Sequence, residues 1–107
     1  MTGITIKREA TAKGGRYVSA VDGHESEMTF NWADRDGHKL MIIDHTGVPG
    51  ALSGRGVGLA LVQRAVEDAR KEDFHVLPLC SFARVMIQRR KEWQDVLACP
   101  DVRSNKD

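Results

Sequence analysis

Three glycines alternate over five positions, Gly54-Arg55-Gly56-Val57-Gly58, and lead straight into a periodic segment. There Leu59, Val62, Val66 and Ala69 recur at spacings of three and four, with Gln63, Arg64, Glu67, Asp68 and Arg70 between them. That is the apolar stripe of an amphipathic helix from about Val57 to about Lys71. A helix that opens on glycines offers unpaired N–H groups and the positive end of its dipole. The missing side chains let an anion reach the backbone, so the chemistry on offer is phosphate or pyrophosphate binding. A Walker A loop needs a Lys and a Ser/Thr after its last glycine, and Leu59-Ala60 follow here. A dinucleotide fingerprint fails as well, because the sixth place holds Leu59 or Leu61 depending on the starting glycine. On the glycines alone, a tight strand-to-helix turn built for packing stands level with an anion site.

Two further residues carry chemistry. Cys80 lies between a short apolar strand, His75–Leu79, and a helix that Ser81 can cap. A helix N-terminus favours thiolate over thiol, so Cys80 is a candidate nucleophile or proton donor; the plain alternative is a buried, inert cysteine. His45 ends the most apolar strand, where an imidazole can take a proton at neutral pH or simply bond to backbone. His24 and His38 fall at turn signals, and His75 starts a strand with no evident partner. No two of these share a helix face or a short ligand spacing, so no metal site is expected. Cys99, beside Pro100, reads as incidental. Arg89-Arg90-Lys91 is followed by Glu92 and Asp95 and reads as a solvated helix end, with Trp93 packing that end onto the sheet.

The elements that must position these residues follow from period and punctuation. Ile4-Thr5-Ile6-Lys7 alternates briefly, and Gly14-Gly15 reads as a break before Arg16–Val21. Asp22-Gly23 is a turn, Glu27–Trp32 alternates as a half-buried strand, and Asp34-Arg35-Asp36-Gly37 is another turn. Lys39–Thr46 is apolar on both faces and reads as a central strand. Strands joined by such short turns form an antiparallel meander. Pro78 lacks an N–H, so pairing must fail on one side near it. The helix beginning at Ser81 runs to about Arg90 with Phe82, Val85, Met86 and Arg89 on one face. The expected architecture is α+β: a meander, then strand–helix–strand–helix with one parallel crossover.

Composition narrows the function classes. A chain of 107 residues is expected to form a single domain over 1–107, with a polar 101–107 tail that frays. Sixteen basic against fifteen acidic residues give a net charge of +1, which argues against a nucleic-acid binder. No apolar run approaches the roughly 18 residues of a membrane span, and the N-terminus has no apolar leader segment. Two cysteines make no disulfide framework, so the reducing cytoplasm is the expected compartment.

Gly-x-Gly-x-Gly opening a helix directly after an apolar strand resembles the acyl-CoA pyrophosphate loop of the GNAT-superfamily N-acetyltransferases. Their pattern is Gln/Arg-x-x-Gly-x-Gly/Ala; Gly56 and Gly58 match its fourth and sixth places, and Ser53 stands in the first. The blocks His45-Thr46-x-Val48-Pro49, Leu52-x-Gly54-Arg55-Gly56-Val57-Gly58-x-Ala60-Leu61-Val62 and Val76-x-Pro78-Leu79-Cys80-x-Phe82 together resemble the short, single-domain (YjdJ-type) subfamily, over roughly residues 16–97. Gly47 stands where that subfamily is expected to carry Glu.

The resemblance implies a GNAT-like fold truncated at the acceptor-side helices, because about ten residues between Lys7 and Tyr17 cannot hold a helix pair. It implies acetyl-CoA as cosubstrate, held along Thr46, Val48, Gly54, Arg55, Gly56, Val57, Gly58 and Leu59. The N–H groups of Gly54, Gly56, Gly58 and Leu59 would meet the pyrophosphate, and an N–H near Val48 would polarise the acyl carbonyl. It places the thioester where the last two strands splay, facing Cys80, as nucleophile or as the acid that protonates the leaving thiolate. His45 would relay a proton from the acceptor, an amine on a small molecule or a peptide lysine. A CoA-binding regulatory module without turnover is the competing reading; the oligomeric state is not legible.

Overall fold

The computed structural model describes residues 4–98. The expectations for the first three residues, for Cys99 and for the 101–107 tail fall outside them. Five strands form one sheet in the order β1-β2-β3-β4-β5: β1 (Lys7–Ala10), β2 (Gly14–Val21), β3 (His24–Arg35), β4 (His38–Gly47) and β5 (His75–Pro78). The first four run antiparallel and β5 lies parallel to β4, after the crossover helix α1 (Val57–Glu72). Helix α2 (Ser81–Gln88) follows, and 3₁₀ turns cover Gly50–Leu52 and Lys91–Val96. The architecture is the expected α+β arrangement. The β2–β3 and β3–β4 hairpins turn on Asp-Gly pairs, Asp22-Gly23 and Asp36-Gly37, all four residues at positive φ. That is the turn geometry matching the twist of the flanking strands.

Three expectations need correction. The first strand starts at Lys7, later than the Ile4–Lys7 alternation implied, because its register pairs Lys7 with Val18 and Ala10 with Gly15. Ile6 instead packs against the core, and its carbonyl accepts Arg64 Nη1 at 2.9 Å. Gly14-Gly15 is not a break but the start of β2. A Cβ at either position would collide with the carbonyl of Phe30 or Glu9, so the glycines serve close backbone approach. In α2 the buried residues are Ala83 and Ile87, one turn apart, while Phe82 and Val85 are 38% and 40% exposed. The helix comes in close to the start of α1, which puts small Ala83 inside and leaves the larger side chains at the rim. Its N-cap is Cys80 rather than Ser81.

One face of the sheet carries the core. Tyr17, Met28, Phe30, Met41 and Ile43 pack against Leu61, Val62, Ala65 and Val66 of α1 and against Ala83 and Ile87 of α2. Trp93 joins this core, with Arg90 stacked 5.0 Å from its ring, so Arg90 is half-buried rather than solvated. A buried polar knot ties the sheet to α1. Asp68 accepts the Tyr17 hydroxyl at 2.8 Å, Arg8 Nη1 at 3.1 Å and Arg64 Nε at 3.2 Å. Burial, then the Asp68 carboxylate, pushes the Tyr17 phenol well above its ordinary range. The opposite face has no helix on it among the described residues, since only Thr11–Lys13 link β1 to β2. Among the described residues no helix is long and apolar enough to cross a membrane.

Candidate active site

Strands β4 and β5 part company at Pro78. Ile43 is paired with Pro78, and the Ile43 carbonyl then accepts both Leu79 N–H at 2.9 Å and Cys80 N–H at 3.1 Å. Beyond that point β5 turns into α2, while β4 continues to Gly47 paired with β3 alone. The parting expected from the proline is therefore a fork. A bulge in β4 sits at its mouth: Thr29 pairs with His45 and Phe30 with Ile43, leaving Asp44 without a partner and hydrogen-bonded to Asn31. Past the bulge alternation resumes. Thr46, opposite buried Met28, turns to the helix side, while His45 and Gly47 turn to the open face.

On the helix side the glycine loop opens α1. Gly54 and Gly56 take φ of +79° and +81°, and Gly56 is the helix N-cap. Gly58 has an ordinary φ, but a Cβ there would stand 2.6 Å from Phe82 Cζ, so its glycine admits the Phe82 ring. Each glycine thus has its own conformational or packing reason. The donors are more telling. Ser53 N–H is used by the Gly50 carbonyl, Arg55 N–H by that of Leu52, and Ala60 N–H by that of Gly56. The N–H groups of Gly54, Gly56, Gly58 and Leu59 meet no acceptor within the described fold. They border a cleft of about 340 Å³ whose apolar wall is Val48, Leu52, Phe82 and Met86. Sequence reasoning placed Phe82 and Met86 on one face of this helix but did not find them as cleft residues. The signal available was the alternative i,i+4 pair, Ala83 and Ile87.

Cys80 stands at the fork on this same side. Its Sγ lies 3.5 Å from Thr46 Oγ1, a contact that spans the gap between the parted strands. Burial raises the thiol pKa, but the Thr46 hydroxyl together with the N–H groups of Ala83, Phe82 and Thr46 outweighs it. The net effect is a thiol held below its ordinary value. Sγ makes no full cap hydrogen bond, so the helix start acts on it as a field rather than as a bonded partner.

The open face holds His45, exposed and without a hydrogen-bond partner among the described residues. It does not meet Cys80: the two flank β4 on opposite sides. A hollow beside it is lined by Glu25, Glu27, Gly47, Val48 and Pro49. Val48 borders both this hollow and the cleft on the helix side, and its N–H, one residue past the last strand pair, has no acceptor in the described fold. Two cavities thus meet at one free donor, with a thiol on one side and an imidazole on the other. Arg55 points away from both, paired with Asp22 at 3.0 Å.

Comparison with known proteins bears on this arrangement. A family model described as GCN5-related N-acetyltransferase matches residues 16–96. The fold aligns with a GCN5-like candidate N-acetyltransferase from Staphylococcus aureus, solved by NMR, at a TM-score of 0.67 and 28% identity over 100% of both chains. It also aligns with a ribosomal-protein-alanine N-acetyltransferase from Brucella melitensis at a TM-score of 0.60 and 18% identity, covering 85% of this chain and 66% of that one, a likeness of fold. Comparison with curated protein sequences gives no match. The match over 16–96 runs from within β2 through the glycine loop, the fork and both helices, and the chain belongs to the GCN5-related N-acetyltransferase family.

Proposed function

We propose that this enzyme moves an acetyl group from acetyl-CoA to a primary amine by direct transfer through the β4–β5 fork. The observation that carries the reading is the set of orphan backbone donors. Gly54, Gly56, Gly58 and Leu59 offer N–H groups along the cleft, and Val48 offers one where that cleft meets the open-face hollow. The first set suits a pyrophosphate at a helix start. The second suits the oxyanion of an acyl-transfer intermediate. Leu52, Phe82 and Met86 would wall the pantetheine arm.

In this scheme His45 takes one proton from the acceptor ammonium on the open face. The free amine attacks the thioester carbon, a C–N bond forms, and Val48 N–H steadies the oxyanion. The C–S bond then breaks, the second amine proton leaves to solvent, and Cys80 gives its proton to the departing thiolate. Solvent reprotonates Cys80. A thiol held below its ordinary pKa is a ready donor to a thiolate of ordinary basicity. Most of the acceleration would come from positioning. A reducing cytoplasm would keep Cys80 as the thiol. No helix of the described residues covers the open face, which leaves room for either a small amine or a lysine on a peptide.

The test is thiol release from acetyl-CoA with a panel of a lysine peptide, spermidine and ethanolamine, alongside calorimetry with CoA. Release that depends on the amine supports transfer. Tight CoA binding without release on any amine would leave a non-catalytic acyl-CoA-binding module. No CoA binding would remove the reading altogether.

A further inference from the structure

Gly47 has no backbone reason to be glycine. It lies in β4 in register with Glu27, and its φ is not in the left-handed region. What a side chain there would meet is His45. A Cβ at position 47 would stand 3.1 Å from His45 Nε2 and 3.9 Å from Cδ2 and Cε1. The imidazole therefore lies back along its own strand with Nε2 leading, over the place where residue 47 has no side chain. Gly47 also lines the open-face hollow beside Val48.

We infer that Gly47 is the positioning residue for His45: the empty place at 47 seats the imidazole and holds Nε2 toward the hollow next to Val48. The inference rests on the proposed role of His45 as proton acceptor and adds the device that aims it. At 3.1 Å a methyl group would sit inside ordinary contact distance, so an alanine must push the ring tip aside by a few tenths of an ångström. The ring makes no hydrogen bond that would hold it otherwise. The charged groups around it are Glu27 and Glu25 of β3, Asp44 of β4, Arg16 of β2 and Glu9 of β1. Arg16 bonds Glu27 at 2.8 Å and Glu9 at 3.0 Å and lies 4.0 Å from Glu25. A Cβ at position 47 is thus the contact that would move the ring tip.

The experiment is a cycle of four forms: wild type, Gly47→Ala, His45→Ala and the double variant. Each is assayed with acetyl-CoA and whichever of lysine peptide, spermidine or ethanolamine the wild type acetylates fastest. Alanine suits a strand at ordinary φ better than glycine, so the Gly47→Ala protein should melt no lower than wild type. Its calorimetric Kd for CoA should be unchanged and its kcat/KM lower by three- to tenfold. In the His45→Ala background the same change should cost nothing further. Gly47→Glu should displace the ring more fully than alanine does. Independently of turnover, NMR cross-relaxation between the His45 ring protons and the Gly47 Hα protons should be present in wild type. A Gly47→Ala enzyme as fast as wild type, an equal loss in both backgrounds, or absent cross-relaxation overturns the inference while leaving acetyl transfer standing. A wild-type protein that neither binds CoA nor releases thiol brings down the transfer reading, and that result is separate from the cross-relaxation measurement.

Discussion

The two sides of the β4 terminus are built on different terms. On the helix side the candidate groups sit at helix starts: N–H groups opening α1, a thiol opening α2, and a ring lying over Gly58. On the open face the groups are side chains, exposed His45 and Glu25 and half-buried Glu27 paired with Arg16, and no helix of the described residues covers them. The difference teaches where rigidity is invested. The proposed acetyl donor would be held by fixed backbone, while an acceptor side with no helix over it among the described residues would depend on side-chain disposition. Substitutions on the helix side should act mainly on CoA binding or the leaving group. Those on the open face should act on the amine and leave CoA affinity alone.

The largest effect should come from Cys80, on the helix side of the fork. Cys80→Ala should lower kcat by about a hundred- to a thousandfold, in the range of a lost general acid. CoA affinity should stay within twofold by calorimetry. Cys80→Ser should recover part of the rate. Intact mass after acetyl-CoA alone should show no adduct; an acetyl group on Cys80 would replace direct transfer by a ping-pong route. The lowered thiol pKa has a sign that can be measured. Thiolate accumulates at lower pH than for an ordinary thiol, so peptide-mapped alkylation of Cys80 by iodoacetamide should reach its half-maximal rate at lower pH than that of cysteine in a short unstructured peptide.

Next in size is the pyrophosphate arm. Acetyl-pantetheine, which lacks it, should bind about a hundredfold more weakly than acetyl-CoA, because several charge-assisted backbone bonds are lost together. Equal affinities would mean that the orphan donors hold something else.

A smaller effect isolates the wedge. Gly58→Ala forces the Phe82 ring aside, at a cost in the range of ordinary overpacking, about 1–3 kcal/mol of stability by denaturant titration. It should also weaken CoA roughly tenfold, since Phe82 walls the cleft. Adding Phe82→Ala should restore the stability without the affinity. Valine at Gly56 would be a poorer probe of the anion site, because φ of +81° strains any branched residue there whether or not a ligand binds.

How much of this was legible in the sequence follows the same division. The helix side was readable because its signals are local: alternating glycines, the 3.6-residue period of α1, the missing N–H of Pro78. The Asp-Gly hairpins were readable for the same reason. The Gly14-Gly15 error came from treating glycine as punctuation, when here it answers to a neighbouring strand that sequence does not place. For α2 the sequence puts Phe82, Val85, Met86 and Arg89 on one face but does not say which face is buried: eight residues also offer Ala83 and Ile87, and only the approach of α1 selects between them. On the open face, the departure at Gly47 could be seen, but not the ring lying over it. That depends on a one-residue bulge at Asp44, which shifts every later side chain and has no signature in the chain.

The smallest expected effect tests the rule that backbone rather than side chains holds the donor. Arg55 is the one cation among Gly54–Gly58, and a phosphate could recruit it. It is already paired with Asp22 at the tip of the β2–β3 hairpin, both side chains largely in solvent, at 49% and 65% exposure. An exposed pair of that kind contributes little to stability, and any ligand phosphate must compete with Asp22 for the guanidinium. The gain from Arg55 is therefore a difference between two similar weak attractions. Arg55→Ala should weaken CoA only two- to threefold, and Asp22→Asn should tighten it by a similar factor, with both effects shrinking as salt rises. In the double variant the affinity should return to that of Arg55→Ala, because Asp22 acts only through Arg55. A tenfold or greater loss in Arg55→Ala would place the anion on a side chain and reverse the contrast between the two sides, making the helix side as dependent on a mobile charge as the open face is.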